Sequence, residues 1–345
     1  MTPPHRGERI GLVVNPSAAG GRSDLRDILR RLLGRMQRER LCVLDGTIEG
    51  VTAVDAGLSV ESIPIPRDSV NAYAAAQHLL RAGVSGLVGV GGDGTLCDIA
   101  SAVRSEASDA WLLGVGIGSA NVGPLVGVRG EALDTLRFDR LREFPVHGIE
   151  AFVRETSVGL AFNDVAFATT YFGTREGRRV DLDAVAKLMG EDRVGVPSPV
   201  CGADTWIRKN GCPMLPAETS SFAQIVASPI NDPQTHAGLA VSGLLCWGPY
   251  VGLHAVLAAV STVMIRTRLT ADDVAAVEPL QLMHVGFGDE DRVEVGGLQP
   301  NAVVILDGNP TCRLTSTDVV TLRVRMNALR TLRPSQAFME QEEAE

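Results

Sequence analysis

The stretch Gly86-Leu87-Val88-Gly89-Val90-Gly91-Gly92-Asp93-Gly94-Thr95-Leu96-Cys97-Asp98-Ile99-Ala100 constrains this chain more than any other. It opens as a short apolar run, breaks into glycines around one aspartate and resumes with helical spacing, which predicts strand, tight loop and helix. A glycine-rich loop feeding a helix presents unpaired backbone N–H groups and the positive end of the helix dipole, and phosphate binds such ends. Gly89, Gly91 and Gly94 also satisfy the dinucleotide-fold spacing GxGxxG, a weak signal alone. An acid between the second and third glycines would repel a pyrophosphate resting on the loop. A carboxylate there suits a hydrated metal, or a proton taken from a hydroxyl that attacks a phosphate. The competing reading makes Asp93 a helix cap.

The preceding chain fits an open parallel sheet. Ile10–Val14 reads as a buried strand, Asn15–Arg22 as a turn, and Asp24–Met36 as an amphipathic helix with Leu25, Ile28, Leu29, Leu32 and Leu33 on one face. Ser59–Pro66 predicts a strand, and Asp68–Ala82 a helix capped by Asp68 or Ser69. A helix over about Thr95–Arg104 and a strand over Trp111–Ile117 follow. Strands alternating with helices give an open parallel α/β (Rossmann-like) domain, whose ligands sit beyond the carboxyl ends of the strands. Asn15 is read either as an Asx turn or as a phosphate contact.

Beyond about residue 140 helical periodicity gives way to short β-prone runs: 152–154, 157–167, 222–227, 239–245, 292–295, 302–306 and 319–324. The expected organisation is an α/β nucleotide-binding domain over 1–141, a β-rich substrate-binding domain over 142–325 and a tail over 326–345. Residues 175–216, rich in charge, Gly and Pro, read as an insertion or mobile loop. Val251–Val263 reads as a helix buried on one face, and Leu314–Val320 as a strand.

Composition excludes some classes. A net charge of −9 with no basic block argues against nucleic acid as a partner. The six cysteines show no CxxC pair and no zinc spacing, so free thiols in a reducing compartment are expected. Residues 1–9 lack an apolar core of signal-peptide type, and Val251–Ile265 is too short to span a bilayer. The expectation is a cytoplasmic protein without a membrane partner.

Gly91-Gly92-Asp93-Gly94-Thr95 resembles the signature of the NAD kinase and diacylglycerol kinase superfamily. Gly116-Ile117-Gly118-Ser119-Ala120-Asn121-Val122-Gly123-Pro124-Leu125 is similar both to the Gly-Ile-Asn-x-Gly-x-Leu-Gly-Phe-Leu pattern of NAD kinases and to the Gly-Thr-Ala-Asn of lipid kinases. Asn163-Asp164 resembles the Asn-Glu with which NAD kinases bind their dinucleotide. An adjacent amide and carboxylate in an apolar run need partners, which a sugar hydroxyl or a strand-end backbone would supply. Asp307-Gly308 resembles a turn near the end of both kinase groups and is also an ordinary hairpin signal. It is read as structural. The Thr-Pro-Thr-Gly-Ser-Thr-Ala-Tyr of NAD kinases is absent; its nearest counterpart is Ile225–Asn231. The overall pattern, with Asp98 shortly after the loop, is closest to the divergent AcoX-type group.

The resemblance implies a kinase of NAD kinase-like fold that uses ATP or polyphosphate and Mg²⁺, with NAD as acceptor. Asp93 is the implied base or metal-orienting acid. Nucleotide contacts are implied for Asn15, Gly91, Gly92, Gly94, Thr95, Gly118, Ser119, Asn121, Asn163 and Asp164, with no metal ligand assigned. A small-molecule nucleotide substrate and a homo-oligomer are implied as partners. A lipid or small-polyol kinase and a nucleotide-binding regulator without turnover are the alternatives.

Overall fold

The computed structural model describes residues 8–16, 25–36, 40–44, 59–64, 71–117, 123–175, 178–214, 222–231 and 251–334. The chain divides into two compact units, one comprising residues 1–146 and 327–345 and the other 147–326.

In the first unit, strands β1 (Arg9–Val14), β2 (Arg40–Leu44), β3 (Ser59–Ile63), β4 (Gly86–Gly91) and β5 (Trp111–Gly116) form a parallel sheet in the order β3-β2-β1-β4-β5. Helix α1 (Leu25–Arg35) follows β1, α2 (Ala72–Arg81) follows β3 and α3 (Asp93–Ser105) follows β4. Every residue of β4 and β5 is buried, as the continuous apolar runs of an inner parallel strand require. The five α1 positions expected on one face are all buried. They join a core with Ile10, Leu12, Val88, Val90, Leu113 and Val115. Strand β2 escapes the sequence reading, because five residues carry too little periodicity. The cap of α2 is Asn71, whose side chain accepts the Ala74 N–H at 2.8 Å; Asp68 and Ser69 lie outside the described residues. Strand β6 (Val126–Arg129) extends the sheet beside β5.

The second unit holds a six-stranded sheet in the order β16-β15-β14-β9-β18-β19, comprising β9 (Val165–Ala168), β14 (Gln224–Pro229), β15 (Ala255–Val260), β16 (Leu282–Phe287), β18 (Val303–Leu306) and β19 (Asn309–Arg313). All its pairings are antiparallel. Opposite it in the core lie β12 (Trp206–Lys209), β17 (Val293–Gly296), β20 (Val319–Pro334), β7 (Leu141–Val153) and β8 (Thr156–Ala161). Phe167, Ile225, Leu257 and Val304 from the first sheet pack with Ile149, Ile207, Val295 and Leu322 from the second, giving a sandwich.

Several expectations are corrected. Residues 255–260 form a strand rather than a helix. Ala255, Leu257 and Ala259 are buried and their neighbours half-buried, an alternation that a short apolar run conceals. The described part of the 175–216 stretch is structured. It contains β11 (Arg178–Asp183), paired with β10 (Thr170–Arg175), then α4 (Ala184–Leu188), β12 and β13 (Cys212–Pro213). Its glycine-proline run starts as an extra strand edge, with the Gly195 N–H donating to Asp181 O at 2.9 Å. Most of the strand expected over 314–320 is instead the turn that joins β19 to β20; within that range only Val319 and Val320 are strand. The expected tail is strand as far as Pro334, and Thr331 pairs with Leu112 of β5. The run at 239–245 lies outside the described residues.

Candidate functional site

In the first unit the sheet order reverses between β1 and β4: the next strand after β1 is β2 on one side, and the next strand after β4 is β5 on the other. The two strands run side by side from Ile10↔Gly86 to Val14↔Val90. Their outgoing loops therefore emerge together, at the place where open parallel sheets bind ligands. The Asn15 N–H donates to Val90 O at 2.9 Å, and the Asn15 side-chain amide donates to Thr95 Oγ1 at 2.8 Å. Asn15 is thus tied to the Gly91–Thr95 loop.

Helix α3 begins at Asp93, two residues earlier than expected. Its N-cap is Gly92, in extended conformation and without a side-chain cap bond. Asp93 therefore occupies the first helical turn and does not cap it. Its carboxylate accepts the Gly123 N–H at 2.9 Å, which brings the loop after β5 to the loop after β4. Gly91 could not be alanine here, since an added Cβ would lie 2.5 Å from Thr95 Cβ. Thr95 is buried, whereas Gly92, Asp93 and Gly94 are half-buried. The start of α3 is the positive end of the helix dipole, a fit for phosphate. Further along α3, burial pushes the half-buried Asp98 carboxyl up to about 6. Gly118, Ser119 and Asn121 lie outside the described residues.

In the second unit Asn163 and Asp164 lie in the turn between β8 and β9. The Asn163 Nδ2 donates to Asp164 Oδ2 at 2.9 Å. The turn is held by Asp307, at the tip of the β18–β19 hairpin. Asp307 Oδ2 accepts the Phe162 N–H at 2.8 Å, and Oδ1 accepts those of Asn163 at 2.7 Å and Asp164 at 2.9 Å. In return the Asp307 N–H donates to Asp164 O at 2.9 Å. Asp307 and Gly308 have φ of 50° and 82°, as a two-residue hairpin turn requires. The structural reading of Asp307 thus holds, but its carboxylate also does what a turn residue need not.

The Ile225–Asn231 stretch supplies β14 and its exit. The Asn231 side chain accepts the His147 N–H at 2.7 Å and donates to His147 O at 3.1 Å. The His147 and His254 rings meet edge to face, 5.3 Å between centroids. Burial and the charge of His254 lower the pKa of His147. Sequence reading missed this pair, since neither histidine stands in a motif. Among the described residues no group of three or more His, Cys, Asp or Glu forms a metal-ligand cluster, and no helix is long and apolar enough to cross a membrane.

No family model matches the chain. A protein of Archaeoglobus fulgidus, described only as uncharacterized, is 30% identical over 310 residues, covering 88% of this chain and 91% of the relative. The chain belongs to the family of that protein. Among solved structures, yeast NADH kinase complexed with NADH matches with a TM-score of 0.53 at 10% identity, over 99% of this chain and 87% of the kinase. A diacylglycerol kinase from Bacillus anthracis str. Sterne matches with a TM-score of 0.51 at 12% identity, over 96% and 98%. The chain therefore has the NAD kinase and diacylglycerol kinase-like fold, an α/β unit followed by a β-rich one, as expected.

Proposed function

We propose that the protein is a kinase that transfers a phosphoryl group from ATP or polyphosphate to a ribose hydroxyl of a dinucleotide such as NAD. The observation that carries this reading is the Gly91–Thr95 loop itself. It stands at the sheet's reversal point, tied to Asn15, with Asp93 in the first turn of α3 rather than at its cap. In this reading the backbone N–H groups of Gly91, Gly92, Gly94 and Thr95 bind the donor phosphates. Asp93 takes the proton of the attacking hydroxyl or orients the metal, and Asn163 and Asp164 bind the acceptor ribose. Nucleotide contacts are also assigned to Gly118, Ser119 and Asn121, by the resemblance of their loop.

Mg²⁺ binds through one or two carboxylates together with substrate phosphates rather than in an all-protein cage. Asp93, a carboxylate at the start of α3 beside the phosphate loop, fits that habit and is the residue that would orient the ion in this reading. When bound, the ion would neutralise charge on the donor phosphates. The protein's own part is positioning and fixed dipoles, the main sources of rate in phosphoryl transfer.

The test is a coupled assay of NADP formation from NAD, ATP and Mg²⁺ with Asp93→Asn beside the wild type. We expect turnover in the wild type, none in the variant, and nucleotide binding in both. Full activity of the variant would remove Asp93 from the mechanism. A lipid or small-polyol acceptor is the second reading, favoured by the equal likeness to a diacylglycerol kinase. It predicts activity with lipid vesicles and none with NAD. Tight binding of NAD or ATP without transfer from any donor would instead indicate a regulator, as the AcoX-type resemblance allows.

A further inference from the structure

We infer that Asp307 is a positioning residue for the acceptor, acting through the Asn163–Asp164 turn; the inference rests on the acceptor role proposed for that turn. Three consecutive backbone N–H groups, those of Phe162, Asn163 and Asp164, converge on one carboxylate at 2.7–2.9 Å. Successive N–H groups pointing into one concavity form an anion-binding nest. Here the chain fills the nest with its own carboxylate, delivered from a hairpin more than 140 residues away. The consequence is directional. With the N–H groups turned toward Asp307 and the Asp164 carbonyl bonded to the Asp307 N–H, the turn has one backbone conformation. The Asn163 amide is then bonded to the Asp164 carboxylate, so these two side chains are presented as a single oriented pair. Charge-assisted bonds of this length are about twice as strong as neutral ones. Three of them hold a short turn that has no helix or ladder of its own.

The hairpin role and the nest role can be separated. A type I′ turn needs φ above zero at both central positions, which asparagine accepts as readily as aspartate, and Asn-Gly is a favoured pair there. Asp307→Asn therefore preserves the turn. It leaves one acceptor oxygen for three N–H groups and aims an NH₂ at them. If Asp307 only turns the chain, the substitution is neutral. If it positions the acceptor element, the KM for the acceptor rises tenfold or more, while kcat and the KM for ATP change less than threefold.

The experiment measures both KM values and kcat for wild type, Asp307→Asn and Asn163→Ala, with amide hydrogen exchange at residues 162–164. Support consists of a raised acceptor KM in both variants and exchange at least tenfold faster at those three amides in Asp307→Asn. A raised acceptor KM in Asn163→Ala with unchanged kinetics in Asp307→Asn overturns the inference and leaves the acceptor role standing. An unchanged acceptor KM in Asn163→Ala overturns the acceptor role and with it any positioning by Asp307. Should Asp307→Asn lose its fold, Asp307→Ser, which keeps one acceptor oxygen, is read by the same KM-against-kcat split.

Discussion

The side-chain amide of Asn15 donates to the hydroxyl of Thr95 at 2.8 Å, joining residues 80 positions apart at the exits of two neighbouring parallel strands. The bond fixes the loop after β1 against the first turn of α3. In a half-buried setting one such bond contributes about 1 kcal/mol. Asn15→Ala should therefore lower the melting temperature by about 2–4 °C. In the kinase reading it should also raise the KM for ATP several-fold. An unaltered KM beside a lowered melting temperature would confine Asn15 to the scaffold.

Asp98 gives α3 a titration that can be measured. Burial raises its carboxyl from 3.8 to about 6. The folded state thus holds its proton more tightly than the unfolded chain. The stability linked to that proton is complete below about pH 4 and is lost as the pH rises through 6. Such a difference between folded and unfolded chain is equivalent to about 3 kcal/mol, which partial exposure reduces to about 2 kcal/mol. Asp98→Asn should match the wild type near pH 4 and exceed it by about 2 kcal/mol at pH 8 in urea denaturation. Parallel stability curves across that range would contradict the raised value.

The sign is opposite at Asp318. Its buried carboxylate accepts from Arg154 Nε at 2.6 Å and Nη2 at 3.0 Å, and from the Thr315 N–H at 2.7 Å and hydroxyl at 2.8 Å. The guanidinium, and then the Thr315 bonds, hold the group down at about 2. This stability is present above pH 4 and disappears as the pH falls through 2. Asp318→Asn should cost about 2–3 kcal/mol at pH 7, with the gap to the wild type closing toward pH 2. A gap that stays constant with pH would place the cost in packing instead.

Gly86 lies beneath the indole of Trp111. A Cβ added there would come within 2.1–2.4 Å of three ring atoms. Trp111 is buried at the start of β5 and cannot swing aside. Gly86→Ala should destabilise the protein by about 2 kcal/mol. Equilibrium denaturation of this variant beside Gly83→Ala, whose glycine has φ of 81°, separates crowding from backbone strain.

What was legible in the sequence depended on how local its cause was. The run of α1 leucines and the apolar stretches of β4 and β5 carry their own period, and the Gly91–Thr95 loop carries its own chemistry. The strand over 255–260 misled because six small apolar residues show no more preference for a period of 2 than of 3.6. The start of α3 was displaced because Gly92 caps through backbone geometry alone, with no side chain to mark it. Least legible was the bond from Asp307 to residues 162–164. The Asp-Gly pair announced a hairpin, but nothing along the chain says which N–H groups a turn carboxylate will meet more than 140 residues earlier.

Strand β20 carries a consequence for synthesis. Residues 147–326 form a continuous unit, whereas the first unit is interrupted and recovers residues 327–334 afterward. Leu332, at 1% exposure, completes the core that Leu12, Leu29 and Leu113 begin. On the ribosome the residues that finish the first unit are therefore made after the whole of the second. The β-rich unit can fold as it emerges, while the α/β unit waits for Leu329, Thr331 and Leu332, exposed to chaperones for the time needed to translate some 180 residues.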